Sequence, residues 1–234
     1  MPTSNPKAEY AFAPPPAVSI LAPPGKPFPV RRIFCVGQNY RDHAKEMGGN
    51  PDVEPPFFFM KPADAIVPNG ATIPFPPGTA DFQHEAELVV AVQGRGRNIP
   101  LERANDVVFG YGVGLDMTKR DVQAEFRKKG RPWEMSKSFD FSAPCSAITL
   151  MSQTGAISAG EISCKVNGTL RQKADLSDMI WGVPQIIAYL SQQVEIAPGD
   201  LIFTGTPAGV GPVRKGDKIE ATIAGLEPLV IEIG

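Results

Sequence analysis

Glu85 and Glu87, two apart in HEAEL, are the first residues in this chain whose types and spacing could do chemistry. Alternate side chains of a strand share a face, so both carboxylates point the same way from a segment that is otherwise mostly apolar. Their repulsion and desolvation are costly unless protons, water or a cation compensates, and a hard divalent ion with oxygen ligands does so most directly. An edge strand showing two glutamates to solvent is the competing reading. Asp116 closes a glycine-rich strand where a helix begins, a place that suits a third ligand or a helix N-cap. An all-oxygen trio without a cysteine or histidine pattern fits Mg²⁺ or Mn²⁺ better than zinc, with Ca²⁺ also admitted.

Other side chains could act beside such an ion. His43 and Glu46 lie three apart in a helical stretch, so the carboxylate can orient the imidazole and raise its basicity; a solvated surface pair is the alternative. His84 falls on the opposite strand face from Glu85 and Glu87, which assigns it a structural or supporting role. Lys137, among aromatic and small residues in PWEMSKSFD, could stabilise an oxyanion or enolate if partly buried, or simply snorkel to the surface. Arg120 and Gln123 share a helix face just after Asp116, where they could grip a carboxylate or merely solvate the helix. GYGVG and GTPAGVG lack the spacing of a nucleotide loop, and tight turns account for most of their glycines.

These residues need elements to position them. The 25 prolines and 23 glycines punctuate the chain too often for long helices, so the class is β-rich with few short helices. Strands are expected at RRIFCVG, EPPFFFMKP (Glu54 to Pro62), HEAELVVAV, DVVFGYGVGLD and in the C-terminal stretches GDLIFTGTP, GVGPVRKGDKIEATI and LEPLVIEI. QNYRDHAKEM reads as a helix stopped by GGN, and MTKRDVQAEFRKKG as a second, polar one. Ser177 to Val194 has helical spacing behind an N-cap serine, with Pro184 kinking or dividing it. The Pro- and Ala-rich residues 1–30 form an extended arm ahead of a single domain over residues 31–234.

Apolar residues make up 42% and charged residues 21% of 234, with a formal net charge of -2, so there is no excess of positive charge for nucleic acid and a small-molecule partner is expected. Cys35, Cys145 and Cys164 are too few and too irregularly spaced for a disulfide framework or a thiolate metal site. With neither a leader pattern nor an apolar run of membrane-spanning length, a cytoplasmic location is expected.

Taken together, CVGQNYRDHAKEM, FFFMKPADA, HEAELVV, GYGVGLDMTKRD, GRPWEMSKSFD and FTGTPAGVGPV resemble the fumarylacetoacetate hydrolase family throughout residues 31–234. The resemblance implies an α+β chain built on a mixed β-sandwich roll, usually in a homodimer, with Mg²⁺ or Mn²⁺ on Glu85, Glu87 and Asp116. It implies further that the helix of His43 and Glu46 is a lid supplying the general base, and that Lys137, Arg120, Gln123 and Thr206 meet a 2-oxo acid. Gln38 departs from it, since relatives often carry arginine there. Within the family, EPPFFFMKPADA and the arm look most like enzymes that split fumarylpyruvate with water into fumarate and pyruvate, as in gentisate-type aromatic degradation. Decarboxylation of oxaloacetate or cleavage of another acylpyruvate on the same site is the alternative, and a metal-stabilised oxo-acid-binding module is the non-enzymatic one. For the remote carboxylate of a fumaryl group, Arg41, Lys45, Arg127 and Arg131 are candidate cations.

Overall fold

AELVVAV, Ala86–Val92, is a strand of seven consecutive buried residues, a run that suits only an inner strand covered on both faces. A computed structural model, which describes residues 11–13, 16–48 and 55–234, gives the architecture around it. Residues 1–10 and 14–15 of the expected arm, Gly49 and Asn50 of the expected helix stop, and Glu54 lie outside the described residues.

The strand stands fourth in an eight-stranded mixed sheet ordered Phe57–Lys61, Arg32–Gly37, Asp200–Phe203, Ala86–Val92, Val108–Leu115, Ala143–Cys145, Ile66–Pro68, with Thr149–Leu150 added against Val108–Leu115. Asp200–Phe203 runs parallel to Arg32–Gly37, and Ala143–Cys145 parallel to Ile66–Pro68; the other pairings are antiparallel. A five-stranded sheet, ordered Thr169–Asp175, Glu161–Val166, Lys218–Ile223, Leu229–Ile233, Thr72–Ile73, packs over one side. Strand alternation then sorts the core. Leu88, Val90 and Val92 join Ile162, Ile219, Ile231 and the helix residues Ile186 and Leu190. Val89 and Ala91 join Ile33, Leu201, Phe203, Ile20 and Phe28 on the other face. Each such aliphatic burial contributes about 1.5–3 kcal/mol. The β-rich, curled architecture with few short helices is the class the sequence implies.

Three expectations change. Ser177 caps no long helix: a 3-10 turn, Leu176–Asp178, is capped by Asp175, whose carboxylate accepts the Ser177 N–H at 2.8 Å. The helix proper is Val183–Gln193, and Pro184 sits in its first turn, where its missing N–H costs nothing and no kink arises. Gly110 and Gly114 lie inside the expected strand, now Val108–Leu115, and not in the tight turns assigned to most such glycines; a Cβ on Gly114 would meet Phe203 and Val89 at 2.5 Å, so close packing requires the glycine. Within the expected extended arm, Ser19–Ala22 and Lys26–Pro29 pair as a hairpin that buries Ile20, Ala22 and Phe28. Its register lets Ile20 face Phe28, a cross-strand pair that the abundance of proline hides in the sequence.

Candidate active site

Glu85 lies just before the central strand and Glu87 within it, so both are buried, at 4% and 1% exposure, and the solvent-facing alternative falls away. Asp116 follows the neighbouring strand Val108–Leu115, and its N–H donates to Glu85 O at 2.8 Å, which locks the two backbones in register. It caps no helix: helix Arg120–Lys128 begins after Lys119 without a side-chain cap. One carboxylate oxygen from each of Glu85, Glu87 and Asp116 lies within 4.8 Å of the other two.

Lys137 comes from a short helix, Glu134–Lys137, and is 2% exposed rather than snorkelling. Its Nζ donates to Glu85 Oε2 at 2.6 Å, Asp116 Oδ2 at 2.7 Å and Thr118 Oγ1 at 2.6 Å. Burial would pull this ammonium down, but Asp116 and Glu85 outweigh it and hold Lys137 above its ordinary range, charged at neutral pH. Arg120 donates to Glu85 Oε1, to Gln83 Oε1 at 2.9 Å and to Gln123 Oε1 at 2.5 Å. For Glu85 burial pushes upward, yet Lys137 and Arg120 prevail and keep it well below the usual carboxylate range. Glu87 behaves oppositely: burial first, then the charges of Asp116 and Glu85, push it well above, against Lys137 and the Gly205 N–H that donates to its Oε2 at 2.8 Å.

Lys61 is the residue that sequence reasoning missed. It ends strand Phe57–Lys61, is 1% exposed, lies 2.9 Å from Asp116 Oδ1 and donates to the carbonyls of Met117 and Lys137. The Lys61–Asp116 contact is an ion pair outside hydrogen-bond geometry, so Oδ1 has no hydrogen-bond donor among the described residues. Phe57, Phe59 and Lys61 alternate onto one strand face, a signal that would have marked this lysine as inward-facing. Gln172 was missed too: it accepts from His84 Nδ1 at 3.0 Å and the Ala86 N–H at 3.0 Å, and donates to Thr206 Oγ1 at 2.7 Å. Thr206 Oγ1 in turn donates to Ala86 O at 2.8 Å, which commits its single O–H to the protein. His84 is thus a buried support of the strand, and burial lowers its basicity.

His43 is 4% exposed on helix Arg41–Glu46, and its Nδ1 meets Glu46 Oε2 at 3.0 Å. It lines a cavity of about 410 Å³ together with Glu85, Glu87, Asp116, Lys137 and Thr206. Arg120, Gln123 and Gln38 line the same space, so the site residues expected from sequence converge on it except Glu46, which reaches it only through His43. All-oxygen donors within mutual reach, an Asp116 oxygen lacking a donor and a glutamate whose ionised form lacks sufficient compensation fit a hard divalent ion. Such an ion would rest on Glu85, Glu87 and Asp116.

A curled mixed sheet bearing three buried acids, a buried lysine and a glutamate-paired histidine around one cavity defines an enzyme. The family model described as fumarylacetoacetate (FAA) hydrolase C-terminal matches residues 32–233, and the chain belongs to that family. The chain resembles a solved fumarylpyruvate hydrolase from Pseudomonas aeruginosa in complex with Mn²⁺ and pyruvate, at 46% identity and TM-score 0.94, covering 96% of this chain and 99% of that one. A mitochondrial oxaloacetate tautomerase of Homo sapiens is 43% identical over 87% of this chain and 91% of its own length. A mitochondrial oxaloacetate decarboxylase of Dictyostelium discoideum is 41% identical over 84% and 90%.

Proposed function

We propose that the protein is a metal-dependent acylpyruvate hydrolase, acting on fumarylpyruvate to give fumarate and pyruvate, and that it works as a homodimer with Mg²⁺ or Mn²⁺. The observation that carries this reading is that His43, paired with Glu46, lines the same cavity as the acid trio and Lys137. Hydrolysis needs a base for water, whereas an enolate site alone does not.

A divalent ion on the three acids supplies positive charge for the enolate forming at the 2-oxo acid end. With Glu46 accepting from Nδ1–H, the other imidazole nitrogen of His43 is left to take a proton from water attacking the remote acyl carbonyl. Lys137, held as an ammonium with its three N–H groups on Glu85, Asp116 and Thr118, sets a positive charge beside the developing negative oxygen. Arg120, ordered against Glu85, and Gln123, ordered against Arg120, present their remaining polar groups to the oxo-acid. The second reading, oxaloacetate decarboxylation or tautomerisation, draws on the human and Dictyostelium relatives and uses an enolate at the same end.

Ranking kcat/KM of the purified protein for fumarylpyruvate, acetylpyruvate and oxaloacetate, with and without Mn²⁺, tests the proposal. Fumarylpyruvate is expected first. Faster turnover of oxaloacetate would transfer the assignment to the second reading.

A further inference from the structure

Four cations were open candidates for a remote carboxylate, and the fold separates them. Arg41 and Lys45 border a different cavity of about 530 Å³, beside Lys173, Asp178 and Pro207, while Arg131 borders neither space. Arg127 alone of the four lines the cavity of the acid trio.

Its place on the helix explains why. Arg120, Gln123 and Arg127 stand at i, i+3 and i+7 of Arg120–Lys128, one face of the helix, with Ala124 and Lys128 beside them; all line the cavity. Arg120 at one end touches Glu85. Arg127, seven residues on, lies about 10 Å further along the axis. The same helix face therefore carries a cation at the metal end and another at the far end, a span suited to an extended diacid of several carbons. Phe59 and Trp133 add an aromatic lining to the same cavity. Phe59 has Lys137 Nζ 5.1 Å from its ring centroid, and Trp133 sits 6.1 Å from Phe59, centroid to centroid, so an apolar surface continues from the lysine outward. A flat, unsaturated acyl chain can lie along such rings, and a carboxylate at its end meets a guanidinium.

Arg127 has a second contact. Its Nη1 donates to Met47 O, at the C-terminal end of the helix that carries His43 and Glu46. A guanidinium has five N–H groups, so this bond leaves donors for a carboxylate while tying the catalytic helix to the occupied cavity.

We propose that Arg127 is the specificity-determining residue of the acyl end: it binds the terminal carboxylate of a flat diacid and, through Met47, couples that binding to the seating of the His43 helix. The inference rests on the acylpyruvate reading of the site.

The test compares wild type, Arg127→Met and Arg127→Lys on fumarylpyruvate and on acetylpyruvate, which lacks the remote carboxylate. In Arg127→Met the ratio of the two kcat/KM values should fall about 30-fold, the worth of one charge-assisted hydrogen-bonded contact. Arg127→Lys should restore part of it. An equal fall for both substrates, or no fall, overturns the inference, because Arg127 would then serve the helix alone or nothing. If wild type hydrolyses neither substrate, the acylpyruvate reading fails by itself. Arg127 is then judged by calorimetric binding of 2-oxoadipate against 2-oxohexanoate with Mn²⁺ present. A diacid preference that disappears in Arg127→Met supports the assignment; no preference in wild type, or one that survives the substitution, refutes it.

Discussion

Lys61 and Lys137 approach the same aspartate from different strand and helix ends, one at each carboxylate oxygen. Spacing alone exposed Lys137 as a candidate because it stood out among small and aromatic neighbours, whereas Lys61 was hidden at the end of FFFMK, where an apolar run reads simply as strand. The His43–Glu46 pair was legible because i and i+3 on a helix must meet. For it we expect His43→Ala to lower kcat by about 10²–10⁴ and to change KM little, the usual range for removing a general base. Single-turnover measurement, which isolates chemistry, checks this; an undiminished rate there would remove His43 from the mechanism. The cysteines make a contrasting case. Burial pushes the thiols of Cys145 and Cys164 up to about 12, and burial first, then the charge of Asp116, raises Cys35 as well. At pH 8 the thiolate fraction is then negligible in the native protein. A chromogenic disulfide reagent should find no fast-reacting thiol at pH 8 and all three after denaturation, and rapid labelling of even one native cysteine would contradict the packing.

Among the elements, the turn after strand Asp200–Phe203 does the most with the fewest atoms. Gly205 has φ 95°, its N–H holds Glu87 Oε2 at 2.8 Å, and a Cβ there would meet Asn39 Cβ at 2.6 Å. Asn39 needs that closeness, since its side chain donates to Thr204 O at 2.7 Å and accepts the Trp181 N–H at 2.8 Å, joining three segments. Gly205→Ala should therefore cost about 1–3 kcal/mol through the left-handed backbone and the overpacking. It should also weaken Mn²⁺ binding, because relieving the clash with Asn39 shifts the backbone N–H that anchors Glu87. Calorimetric melting and a Mn²⁺ titration followed by electron paramagnetic resonance would show both; a variant with wild-type melting and wild-type affinity would sink the account. Strand identities were readable from β-branched runs and turn residues. The element error arose where one residue type serves two geometries: Pro184 breaks a helix interior yet suits its first turn, just as Gly110 and Gly114, inside a strand that was expected, serve close packing rather than turns. Which strands pair, and that the acids of two of them meet, depends on contacts far apart in sequence that no local pattern encodes.

At the scale of the whole molecule, charge decides what the cavity welcomes. Glu85, Glu87 and Asp116 supply three carboxylates, and Lys61, Lys137 and Arg120 supply three cations, paired with Glu85 and Asp116. Glu87, pushed well above the usual carboxylate range without an ion, ionises when a divalent ion binds; the three carboxylates and three cations then balance, and the charge of the ion is left for an anionic ligand. Pyruvate should therefore bind the metal-loaded protein and hardly the metal-free one. A ligand at about 100 times its Kd stabilises the native state by about 2.7 kcal/mol, and a domain of this size gains about 2–4 °C in Tm for each kcal/mol. Pyruvate with Mn²⁺ should thus raise Tm by about 5–10 °C over Mn²⁺ alone, and by less than about 1 °C in chelator, on the same scale. Equal stabilisation by pyruvate with and without the ion would mean that the cations of the cavity suffice to hold the oxo-acid, and the acid trio would then lose its claim to a metal.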